Sequence, residues 1–165
     1  MYRKRLLVLC VLAATLGCSC AKVETELPAE MDVGEQTSFD EEKSLHIIDI
    51  SLAAMETQTE NTSETKLAKI KRVIQRLEEQ GYAAIDSKNQ INMVCADQAI
   101  DFCQAVEEKG QDDFMLTVIS DTFQWIIYDF HCADGAVTVA RNIYQYEDGD
   151  TQLEDSAVYT ASDWK

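Results

Sequence analysis

Asp129 and His131 come nearest, by residue type and spacing, to a pair that could do chemistry. Two positions apart on a β-strand they share one face, where a carboxylate can orient an imidazole for general-base work. No nucleophile is identifiable beside them, and such pairs are common on solvated strands. The sequence therefore assigns no catalytic residue and leaves Asp129 and His131 as the candidates. Glu107 and Glu108 close a predicted helix and Asp121 sits in a turn, so nothing places a second acid or base in a pocket.

Asp148, Asp150, Glu154 and Asp155 crowd one segment and offer oxygen ligands of the kind Ca²⁺ takes. They lack the Asp-x-Asp-x-Asp-Gly order of a calcium loop. We read them as a solvated turn and expect no metal and no other cofactor. Cys95 and Cys103 lie eight residues apart on one predicted helix, or ~12 Å of rise, beyond disulfide reach. A bridge from either to Cys132 stays open, and the spacing fits no zinc site. The simplest reading is three small apolar residues in the interior.

The elements that must position these groups follow from periodicity. Leu45, Ile47, Ile48, Leu52 and Met55 predict a helix over 44–55. After a break at Asn61-Thr62-Ser63, with Thr62 or Ser63 as cap, Leu67, Ile70, Ile74 and Leu77 mark an amphipathic helix that Gly81 stops. Residues 82–85 and 91–94 predict a short hairpin around Asp86-Ser87-Lys88-Asn89. Asp97 is positioned to cap a third helix, bearing Ala99, Phe102, Cys103 and Val106 and ending at Gly110. Four strands follow at 114–120, 123–132, 136–146 and 151–159, joined by short polar turns that imply an antiparallel meander. The strand at 123–132 is apolar on both faces, which fits either a cover on the second face (a homodimer partner, a further C-terminal domain or a ligand pocket) or a central strand with a partly exposed aromatic.

The fold class is thus α+β, with helices packed on a curved antiparallel sheet of about four strands plus a short hairpin. Its element order over 44–160 resembles the NTF2-like/cystatin-like cone, and a two-layer α+β sandwich is the alternative. The first resemblance implies a pocket at the open end of the cone and carries no site residue over.

The N-terminus gives the chain an address. Arg3, Lys4 and Arg5 precede the uncharged run Leu6 to Leu16, which is too short for the ~20 apolar residues of a membrane span but suits a secretory signal. Gly17-Cys18 directly after that run is similar to the lipobox of bacterial lipoproteins. That resemblance implies acylation of Cys18 and a membrane partner held through the lipid at the outer surface of the cell membrane. Ser19-Cys20-Ala21 also fits a small-x-small site, so cleavage after Ala21 and free secretion are the alternative. Residues 1–21 are then the leader, 22–43 an acidic flexible stalk and 44–165 the domain.

With 30 acidic against 14 basic residues and a net charge of −16, the chain repels phosphate backbones, and no nucleic acid is expected as a partner. The stretch Gly81-Tyr82-Ala83-Ala84-Ile85-Asp86-Ser87-Lys88-Asn89-Gln90-Ile91-Asn92-Met93, with Tyr144-Gln145-Tyr146, is similar to an uncharacterised family of lipoproteins from Gram-positive gut bacteria, a domain of unknown function. The resemblance covers residues 66–165 and implies a C-terminal part beyond Trp164. The sum is an exported, lipid-tethered binding module without enzymatic activity. An acid/base enzyme or a structural subunit of an envelope complex are the alternatives.

Overall fold

A computed structural model describes residues 39–56 and 65–161. The expected leader with Cys18, the stalk as far as residue 38, the break at Asn61-Thr62-Ser63 and Trp164 lie outside the described residues.

Helix α1 spans Glu41–Glu56, three residues earlier than predicted, because Asp40 caps it. The Asp40 carboxylate accepts the Lys43 amide at 2.9 Å, and Glu41 and Glu42 sit in the positive first turn. Ile47, Ile48 and Ala54 are buried, while the buried Ser44 and Ser51 hydroxyls donate to carbonyls one turn back. Helix α2, Lys66–Glu79, is capped by Thr65, whose hydroxyl accepts the Ala68 amide at 3.2 Å. Arg72 of α2 donates from Nε to the Ala54 carbonyl at 2.7 Å, tying down the end of α1, which has no basic residue in its own last turn. Gly81 stops α2 with φ +79°, as the sequence implies.

The predicted hairpin does not form. Its first arm is strand β1, Ala83–Asp86, but the second makes only one bridge, Val94 to Ala84. The cause is Asp86, which is buried and accepts the amides of Lys88 (3.1 Å), Gln90 (3.0 Å) and Ile91 (2.6 Å). Those bonds wind the segment into a tight loop instead of a second strand. Helix α3, Ala96–Glu107, then crosses back, so β1 joins the next strand in parallel. Its N-cap is Cys95 in the left-handed region rather than Asp97, and the left-handed residue past its end is Lys109 rather than Gly110.

Strands β2 (Asp112–Ile119), β3 (Trp125–Ala133), β4 (Ala136–Glu147) and β5 (Asp150–Ala161) form the expected antiparallel meander, giving a mixed five-stranded sheet in the order β1-β2-β3-β4-β5. Strand β3 starts at Trp125 rather than 123 because Phe123 is left-handed, φ +59°. The Ser120 hydroxyl closes that turn by accepting the Thr122 and Gln124 amides. Asp134-Gly135 and Asp148-Gly149 are two-residue turns with positive φ at both positions, the twist that suits a tight hairpin.

Alternation along the strands divides the core in two. On one face Met115, Ile119, Trp125, Ile127 and Tyr144 meet α1 and α2. On the other, Phe114 and Phe130 stack at 5.5 Å and Phe102 of α3 packs against both, at 6.0 and 5.8 Å. The chain's own α3 therefore covers the Phe130 end of the second apolar face of β3. The fold is α+β, with three helices on an open sheet.

Candidate functional site

Asp129 and His131 project from the face that carries α1 and α2, and each has a separate partner. The Asp129 carboxylate accepts the Asp40 amide at 3.4 Å, at the start of α1. Burial pushes its pKa up, with the Asp40 amide and Lys43 opposing. His131 Nδ1 lies 2.5 Å from Asp113 Oδ1, directly opposite on β2, with the Asp113 side chain well exposed. The imidazole thus pairs across strands rather than along its own.

Three of the four acidic residues of the last hairpin take separate partners. The Asp150 carboxylate accepts the Thr151 amide, Glu154 accepts the Gln124 side-chain amide at 2.9 Å, and Asp155 pairs with Arg141. Among the described residues no group of three His, Cys, Asp or Glu is placed to hold a metal. Asp121 pairs with Lys88 at 2.6 Å, and that bond holds its carboxyl below the usual range. Cys95, Cys103 and Cys132 form no disulfide. Cys132 is fully buried and Cys95 and Cys103 half-buried; burial raises the Cys95 and Cys132 thiols, which opposes reactivity.

The unusual surface is β5. It closes the sheet at one edge, and most of its residues are exposed. Among the described residues seven large apolar side chains are exposed, and four of them (Tyr146, Leu153, Val158 and Tyr159) belong to the β4–β5 hairpin. Val158 is the most exposed of all, at 62%. Below it, Arg141 pairs with Asp155 and sits 6.0 Å from the centre of the Tyr159 ring, so this part of the edge is held in place.

The direction of the backbone groups follows from the turns. Glu147 and Asp150 flank a two-residue turn and so exchange both hydrogen bonds, as do Ala133 and Ala136 at the previous turn. Along β4 the odd-numbered residues therefore bond to β5 and the even-numbered ones to β3. The bulge opposite Ile143 absorbs one residue of β5, so Ala157 and Tyr159 bond inward to Arg141 and Val139. Thr151 and Leu153 before the bulge, and Ser156, Val158 and Thr160 beyond it, are left with their amides and carbonyls directed to the open edge.

A family model described as a family of unknown function, DUF6070, matches residues 38–165, from one residue before the first described position. The chain belongs to DUF6070. No curated protein and no solved structure matches it. The matched region takes in the whole described DUF6070 fold, from Asp40 at the cap of α1 to the end of β5.

Three groups of this DUF6070 domain escaped sequence reasoning. Asp113 lies eighteen residues from His131, and only strand register makes them partners. Asp86 reads as a turn residue in a hairpin, although it is the buried hub of a loop. The edge of β5 carries one sequence signal: Ser156 to Ala161 holds no charge and no proline, the two devices that usually blunt an exposed strand.

Proposed function

We propose that this DUF6070 chain is an exported, lipid-anchored protein whose domain is a non-enzymatic docking module, with the open edge of β5 as the docking surface. The observation that carries the docking part is the concentration of exposed apolar side chains on β4–β5, beside backbone groups with no partner strand among the described residues. The basic residues Arg3, Lys4 and Arg5, the short apolar run and Gly17-Cys18 support export and acylation of Cys18 at the outer membrane surface. The similarity to lipoproteins of Gram-positive gut bacteria belongs to the same reading. So does an NTF2-like ancestry, supported by the order of helices and then four antiparallel strands; the parallel β1 and the helix on the second face are the features it must accommodate.

The test is a photo-crosslinking residue in place of Val158, expressed in cells and irradiated. A discrete adduct of any mass supports a docking edge. No adduct at 158, with efficient labelling at a control position on α1, overturns it.

A further inference from the structure

Resting on that reading of the β5 edge, we propose that its occupant is a second copy of this chain, paired antiparallel along β5 about a two-fold axis at Val158. Two-fold related strands align like faces only when a residue meets its own counterpart on the axis. Thr151 and Leu153 also face outward, but the bulge at Glu154 breaks the ladder beside them, so a continuous pairing needs an axis at Ser156, Val158 or Thr160.

Side chains choose among the three. With the axis at Val158, each Val158 lies opposite the other, on the face where it is 62% exposed. Ser156 meets Thr160 of the second copy, a hydroxyl pair. On the other face Tyr159 lies over the small Ala157, and Asp155 faces Ala161 while keeping its own Arg141. No acid meets an acid. An axis at Ser156 would bring Glu154 opposite Val158, and one at Thr160 would pair only Tyr159 to Ala161 among the described residues. The pairing would extend the order β1-β2-β3-β4-β5 into one ten-stranded sheet.

The acids of β5, namely Asp150, Glu154 and Asp155, are confined to its first half. Asp150 and Glu154 thus lie where the register leaves the strand unpaired, Asp155 at the margin of the pairing is neutralised by its own Arg141, and 156–161 carries no charge. A seven-residue strand pair is small beside the ~1,000 Å² of a stable interface, so association is weak, with a Kd of roughly 10–100 µM. Tethering to one membrane would raise the effective concentration. Each copy carries a net charge of −16, so salt must strengthen the pair. A basic partner peptide would show the reverse dependence.

Analytical ultracentrifugation of the purified chain, up to about 500 µM and at about 50 and 500 mM salt, tests this. The expected result is a monomer–dimer equilibrium that tightens severalfold at the higher salt. Val158→Lys, which sets two cations opposite each other on an exposed site, should weaken it at least tenfold without altering the fold. Hydrogen exchange reads the register: the Ser156, Val158 and Thr160 amides should become protected as concentration rises, with Ala157 and Tyr159 already protected in the monomer. A monomer throughout, a dimer indifferent to Val158→Lys, or one that loosens with salt overturns the proposal. The crosslink at 158 separates the two readings. An adduct at twice the chain mass supports the second copy, an adduct at another mass overturns it but keeps the docking edge, and no adduct removes both.

Discussion

The Asp86 carboxylate accepts the Ile91 amide at 2.6 Å, while its other oxygen takes the amides of Lys88 and Gln90. One buried side chain thus fixes the course of the five residues from Ser87 to Ile91, between β1 and α3. Asparagine is nearly the same size but is neutral and offers one carbonyl oxygen, so it cannot serve all three donors. Asp86→Asn should cost about 2 kcal/mol, read as a lower urea midpoint with an unchanged slope. A loss below ~0.5 kcal/mol would mean the loop is held by something else.

Phe102 is the anchor of α3. It is 1% exposed and touches Phe114 and Phe130, the two rings that would otherwise face water. Phe102→Ala should cost about 3–5 kcal/mol. Amide exchange should show the loss concentrated in α3 and in strands β2 and β3, with α1 and α2 less affected because they pack on the opposite face. Uniform loss across both faces would contradict two separate half-cores.

Asp129 gives the fold a pH dependence of definite sign. Burial raises its carboxyl above the ordinary value of 3.8, so the folded state favours the protonated form. The stability that form contributes is present below the ordinary value and is lost as pH rises through the raised one. Asp129→Asn keeps an oxygen for the Asp40 amide and never ionises. Its melting midpoint should exceed that of the native chain by a few degrees at pH 7, with the gap closing near pH 3. A gap that is constant across this range would assign the effect to shape rather than charge.

His131 and Asp113 are a surface pair whose members sit on neighbouring strands. Asp113→Ala should change stability by less than ~1 kcal/mol, because side-chain pairs at the surface contribute little. Chemical denaturation of the variant checks this, and a larger loss would show that the pair organises the end of β2.

Cys18 carries the proposed anchor. Cys18→Ala in the full chain should move the protein from the membrane fraction to the medium or the soluble fraction and abolish labelling by a fatty-acid analogue. Unchanged fractionation and labelling would point to another anchoring residue.

Much of the fold was legible because local rules decide it. The spacing of Ile70, Ile74 and Leu77, the stop at Gly81 and the Asp-Gly turns at 134–135 and 148–149 act within a few residues. They yield the same helix and hairpins in the structure as in the sequence. The misreadings share one cause, a polar side chain or strained residue overriding periodicity. Asp86 converted a predicted strand into a loop, and left-handed Phe123 delayed β3 by two residues. For Asp129 and His131 the sequence placed both on one face, but register alone could pair His131 with Asp113 and bring the Asp40 amide to Asp129.

The sequence by itself determined the acidic charge, the signal-like N-terminus, the α+β class and the antiparallel order of β2 to β5, since composition and short-range periodicity carry that information. Only the tertiary structure decided that β1 lies parallel at one edge, that α3 covers the Phe130 end of the second face of β3, and that β5 is the other edge among the described residues, with Val158 exposed. Those outcomes depend on which surfaces meet across long stretches of chain, and the parity of hydrogen bonds from one turn to the next has no signature in any single segment.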